Sequence, residues 1–224
     1  EQYVTQCIEQ LGDQALRQMG ATGGYIDIPP NLLQDAGASL RLSPFLVVPY
    51  WAYGDQVNIP SLSQLKERID TFMEQELSGC LFSDALFTKE YDVVEREPVE
   101  SDVQITDKKV VFSVHYPIEV RNKEGTVIAE LTDHTGESPI KLKSVHDTAR
   151  KIVEFELNDL KFEDLTVDLL SLEHQDVPLT GIELSCSKKE WNTELVKEMI
   201  KDMLRVNIGK FKVKGTDYLE FPDT

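Results

Sequence analysis

Residues 99–131 read VESDVQITDKKVVFSVHYPIEVRNKEGTVIAEL, and this stretch decides the fold. Val110, Phe112, Val114, Tyr116 and Ile118 fall on one side of an extended chain; Val111, Ser113, His115 and Pro117 fall on the other. A period of two belongs to a strand, so Lys109–Val120 is expected to be a strand with one apolar face. Val99–Thr106 alternates ahead of it across the tight connection Asp107-Lys108, and Asn122-Lys-Glu-Gly125 turns into a third strand, Thr126–Leu131. The expected arrangement is an antiparallel meander buried on one face, within a strand-rich region from Tyr91 to Leu142.

On the N-terminal side, residues 1–19 place Val4, Ile8, Leu11, Ala15 and Met19 on one face of an amphipathic helix. Gly20 stops it, and Gly23-Gly24 gives it a flexible exit. Tyr25-Ile-Asp-Ile28 alternates up to Pro29-Pro30, and residues 31–38 read as an irregular loop. Leu40–Tyr53 is extended, Gly54-Asp55 supplies a turn, and Gln56–Ile59 returns as a hairpin strand. Ser61 and Gln64 form a capping box for a second helix, whose stripe is Leu62, Leu65, Ile69, Phe72 and Met73 and which ends at Gly79-Cys80.

Beyond the meander, a helix is expected from near Ser144, and Phe162–Leu172 reads as a short helix or a mixed segment. Ile182–Ser185 is expected to be a short strand. Ser187 and Glu190 form another capping box, opening a last helix with Trp191, Leu195, Met199, Met203 and Leu204 on its buried stripe. Asn207 and Gly209 stop that helix, and Lys210–Lys214 reads as an edge strand. The fold class is therefore α+β, an antiparallel sheet with several packed amphipathic helices. A soft boundary near 83–90 divides the chain into a helix-hairpin-helix module, 1–85, and an α+β module, 86–224, or the two pack as one unit.

Composition narrows the function. The 40 acidic residues against 23 basic ones give a net charge of −17. Nucleic-acid binding depends on a basic surface that displaces counterions, so that class is excluded, as is lysine-driven adhesion to anionic membranes. No stretch approaches the roughly 20 apolar residues of a membrane helix. The catalytic signatures G-x-S-x-G, H-E-x-x-H, the P-loop and G-x-G-x-x-G are all absent. His115, His134, His146 and His174 stand too far apart in sequence for a local metal-ligand pair, and no cofactor or metal is expected. Acidic residues concentrate in 84–107 and 154–176, which read as solvated faces, with Ca²⁺ binding and paired-carboxylate hydrolysis as the alternatives.

The aromatic run Tyr50-Trp51-Ala52-Tyr53 has two readings. In a strand, Tyr50 and Ala52 face one way and Trp51 and Tyr53 the other. One set packs in the core, and the other would offer a platform for a sugar or a partner. None of the six asparagines begins an N-glycosylation sequon. The cysteines are Cys7, Cys80 and Cys186, with no C-x-x-C pair. Cys7 and Cys80 lie on the apolar stripes of two helices. They are either a disulfide closing a loop of about 70 residues or two small buried thiols. Cys186 is a free thiol or the partner of a cysteine beyond Thr224.

Several pieces together form a pattern: Tyr3-Val-x-x-Cys7, Gly23-Gly-Tyr-Ile26, Pro49-Tyr-Trp-Ala-Tyr53, Cys80, Cys186-x4-Trp191 and Asn207. This resembles a group of uncharacterised archaeal proteins of small-genome lineages, which are membrane-anchored with a large external part. The resemblance implies an N-terminal anchor before Glu1, further ectodomain after Thr224, and a Cys7–Cys80 disulfide suited to an external compartment. It brings no activity and no catalytic residues. The expected function is a non-enzymatic extracytoplasmic ectodomain that contacts other envelope or surface proteins. The alternatives are a carboxylate-dependent envelope hydrolase and a carbohydrate- or Ca²⁺-binding module.

Overall fold

The computed structural model describes residues 2–35, 37–83, 90–170 and 190–208. The chain forms two compact units, Glu1–Asp147 and Thr148–Thr224. The boundary expected at 85–86 lies inside the first unit, because helices from one side of it and strands from the other share a single hydrophobic core.

The first unit centres on a long strand, β7 (Val110–Asn122). Along one edge of β7 runs β8 (Val127–Ser138), antiparallel and paired over most of its length. Along the other edge lie β5 (Tyr91–Glu95) and β6 (Glu100–Ile105) in series, β5 pairing residues 118–122 and β6 pairing residues 110–115. The expected antiparallel meander is thus present, with β5 added to its edge. Val110, Phe112, Val114, Tyr116 and Ile118 are all buried, on the face that alternation assigns them.

Two helices cover that face. Helix α1 (Gln2–Ala21) buries Val4, Cys7, Ile8, Leu11, Gly12, Ala15, Leu16 and Met19 and packs on β8. Helix α3 (Leu62–Ser83) buries Leu65, Ile69, Phe72, Met73, Leu77 and Leu81 and packs on β6 and α1. The capping box at its start is formed: Ser61 N–H donates to Gln64 Oε1 at 2.8 Å, and Gln64 N–H donates to Ser61 Oγ at 3.2 Å. The helix does not stop at Gly79-Cys80 as expected. Leu77 and Leu81, one turn apart, are both fully buried. That burial outweighs the ~1 kcal/mol that glycine costs inside a helix.

Between α1 and α3 lie a short helix and two hairpins. The sequence reads 31–38 as irregular, yet Pro30–Gln34 is a helical turn, α2, with Pro30 in the first turn, where its fixed φ is favourable. Strands β1 (Ser39–Ser43) and β2 (Leu46–Pro49) form the first hairpin; β3 (Ala52–Tyr53) and β4 (Gln56–Val57) form the second around the expected Gly54 turn.

Helix α4 (Leu142–Asp159) confirms the helical reading from Ser144 and runs into the second unit. There, α5 (Lys161–Leu170) resolves the ambiguous segment as a helix. Leu160 joins the two helices with φ 47°, a left-handed conformation that L-residues rarely adopt. The Glu156 carboxylate accepts the Phe162 N–H at 2.9 Å and so caps α5. The last helix, α6 (Thr193–Ile208), starts later than the pattern suggested. Its cap is Asn192, whose Oδ1 accepts the N–H groups of Glu194 and Leu195 at 3.0 and 3.2 Å. Trp191 therefore lies outside the helix and is 43 % exposed, so its assignment to a buried stripe does not hold; Leu195 is exposed as well. The expected strands at 182–185 and 210–214, Ser187 and Cys186 lie outside the described residues.

Candidate functional site

The loop joining α1 to α2 packs against the start of α3. Gly23 and Gly24 adopt φ 67° and 99° there, which brings the chain back across the end of α1. A Cβ on Gly24 would meet Leu65 and Pro60 at 3.0 Å, so the left-handed turn also permits a close approach. Gln18 Nε2 donates to Ile26 O at 2.6 Å and holds the loop onto the helix. Arg68 of α3 lies 4.0 Å over the Tyr25 ring and donates to Gly24 O, a cation–π contact and a hydrogen bond from one guanidinium.

The aromatic run divides differently from the expected alternation. Strand β2 ends at Pro49 and β3 begins at Ala52, so residues 50 and 51 obey no strand parity. Trp51 turns inward: its Nε1–H donates to Gly23 O at 2.7 Å, and its ring lies 5.8 Å from that of His146. Tyr50 and Tyr53, assigned to opposite faces by alternation, instead stack on each other at 5.5 Å with planes 14° apart. They line an open groove of about 930 Å³, together with Tyr25, Asp35, Asp55, Gln56, Asn58 and Arg68. One Asp35 oxygen accepts the Gly37 N–H at 2.8 Å at the groove wall. Of the candidate platform residues Tyr50, Trp51 and Tyr53, the described groove lining includes Tyr50 and Tyr53 and not Trp51. Tyr25, Asp35, Asp55 and Arg68 are not legible as groove residues in the sequence, because only the folded loop brings them there.

Beside the groove, the β1–β2 hairpin carries Leu40 and Leu42 exposed, and at its tip Phe45 is 98 % exposed. At the opposite end of the two helices, Cys7 of α1 and Cys80 of α3 form a disulfide with a Cα–Cα separation of 6.0 Å. Of the two sequence readings, the bridge is the one the structure contains. Tyr3 Oη donates to Cys80 O at 3.2 Å.

The histidines do not converge. His115 Nδ1 lies 2.8 Å from Asp133 on the exposed sheet face, and that hydrogen bond holds its pKa above the usual imidazole range. His134 is buried with Nε2 against Tyr116 O at 3.1 Å, and buried His146 takes Pro60 O at 2.7 Å. His174 lies outside the described residues. Among the described residues, no group of three His, Cys, Asp or Glu side chains is placed to hold a metal ion. Within the acidic stretch 84–107, Asp92 pairs with Lys123, Asp102 with Lys66 and Asp107 with Lys143, and Glu95 accepts the Tyr116 hydroxyl. Among the described residues no helix is long and apolar enough to cross a membrane. No protein-family model, curated protein or solved structure matches the chain.

Proposed function

We infer that this chain is a non-enzymatic extracytoplasmic module of a membrane-anchored archaeal envelope protein, docking onto other envelope or surface proteins through the β1–β2 hairpin. The observation that carries the reading is the hairpin itself. A side chain the size of phenylalanine at 98 % exposure, flanked by exposed Leu40 and Leu42, loses apolar hydration only when something covers it. Large aromatic and aliphatic anchors of this kind dominate the energetics of protein interfaces. The Cys7–Cys80 disulfide supports an oxidising compartment. The anchor and the archaeal envelope rest on the resemblance alone.

Two measurements test the reading. Fractionation of the full-length gene product should recover it with the membrane, with Cys7 and Cys80 inaccessible to thiol reagents until reductant is added. Recovery in the cytosol with both thiols free would sink it. A photo-crosslinking residue at position 45 should then trap an envelope protein in intact cells, and Leu42→Ser should abolish the adduct.

A further inference from the structure

We propose that the groove beside the hairpin is a carbohydrate-binding site that takes a neutral oligosaccharide. The inference goes beyond the docking reading and uses different residues. A sugar ring presents two kinds of surface: a patch of C–H groups that packs on an aromatic face, and a rim of hydroxyls that both donate and accept. The groove offers a counterpart for each. Tyr50 and Tyr53 are stacked 5.5 Å apart with planes 14° from parallel, and Tyr53 is 61 % exposed. A ring held by its neighbour and still open to solvent is a preformed platform, and stacking on it costs little side-chain entropy. Around this pair stand the carboxylates of Asp35 and Asp55 and the amides of Gln56 and Asn58. Carboxylates accept, and amides both donate and accept, so the wall suits hydroxyls rather than a single ionic group.

Charge and size narrow the ligand. Among the described residues that line the groove, Arg68 is the only cation, and it already lies over Tyr25 and donates to Gly24 O. Two carboxylates against one engaged guanidinium disfavour sulfated or uronic-acid sugars and favour uncharged ones. The volume of about 930 Å³ falls in the range of formed ligand sites. Its open form suits a chain passing through better than a small molecule enclosed on all sides.

The test is calorimetric titration of the intact chain with hexasaccharides of glucose, mannose and N-acetylglucosamine, alongside a sulfated and a uronic-acid oligomer. At least one neutral hexasaccharide should bind, and the two anionic ones should not. Tyr53→Ala should weaken binding by about tenfold or more, whereas Tyr53→Phe, which keeps the stacking face, should retain most of it. Asp55→Asn should weaken it to a smaller extent. Thermal melts of each variant confirm folding. Phe45→Ser should leave sugar binding unchanged, so failure of the docking reading and failure of this one are separable. Binding of the anionic oligomers alone, binding unaltered in Tyr53→Ala, or no heat from any neutral hexasaccharide would overturn the proposal.

Discussion

Two glycines inside helices have opposite roles. A Cβ on Gly12 would overlap the ring of Phe112, a fully buried residue at the centre of the sheet. A Cβ on Gly79 would meet nothing within 4 Å. Replacing glycine by alanine inside a helix normally stabilises by about 0.5–1 kcal/mol, since the unfolded chain loses freedom. Gly79→Ala should show that gain in urea denaturation. Gly12→Ala should instead destabilise by about 1–3 kcal/mol, because the core must shift to admit the methyl. Equal effects at the two positions would refute the packing described for α1. Local sequence does not separate them: both interrupt an amphipathic pattern, and Gly79 reads as a stop. What distinguishes them is Phe112, a hundred residues from Gly12 along the chain. Glu119 has a comparable long-range dependence. It is buried on β7 between Arg121 and Arg96, and their hydrogen bonds hold its carboxyl below the usual range. A depressed carboxylate adds stability that is fully present above its unfolded pKa and lost as pH falls through the folded one. Glu119→Gln should therefore flatten the acid limb of the stability profile below about pH 4.5, and a variant with an unchanged acid limb would remove this role.

At the scale of elements, α3 closes the edge of the sheet. Asp70 Oδ1 accepts the Val103 N–H at 2.9 Å, and Glu74 Oε1 accepts the Ser101 N–H at 3.2 Å. Those are the outward-facing donors of an edge strand, the groups that otherwise recruit another chain. The geometry fits because four helical residues rise about 6 Å and two strand residues about 6.7 Å, so carboxylates at i and i+4 match donors at j and j+2. Asp70→Ala should leave a nearly buried N–H unpaired and cost about 1–3 kcal/mol in denaturant titration. It should also raise the tendency to self-associate in sedimentation at high concentration. A variant as stable as the parent and no more prone to self-association would show that the cap is incidental. Such matching is invisible to local patterns, whereas the Ser61–Gln64 capping box spans four residues and was legible. The same distinction explains the aromatic run. Its residue types admit both core packing and a platform, and its sidedness follows from Pro49 ending a strand and Trp51 reaching back to Gly23, a contact across 28 positions. Trp191 was misplaced for a related reason: Asn192 competes successfully as the cap, and a tryptophan one residue outside a helix has no stripe to join.

For the molecule as a whole, the net charge of −17 and the disulfide act on opposite sides of the folding equilibrium. Acidic excess makes the compact state repel itself, while a cross-link restricts the unfolded chain. The bridge joins residues 73 apart and ties the first turns of α1 to the last turns of α3, the two helices that cover the sheet. On the chain-entropy account a loop of that length stabilises by about 4 kcal/mol. Cys7 is buried, so the bridge lies against the hydrophobic core. Guanidinium titration of the oxidised chain and of the chain held in dithiothreitol should differ by that order. The Cys7→Ala/Cys80→Ala variant should match the reduced parent and no longer respond to reductant. If the oxidised and reduced parents unfold together, the bridge contributes nothing and the argument for an oxidising compartment loses its physical basis. Salt separates the two terms. Raising ionic strength from about 10 to 300 mM screens the repulsion between surface acids and should stabilise both forms alike. The gap between oxidised and reduced chains should stay constant, because a covalent constraint on the unfolded state does not depend on the Debye length.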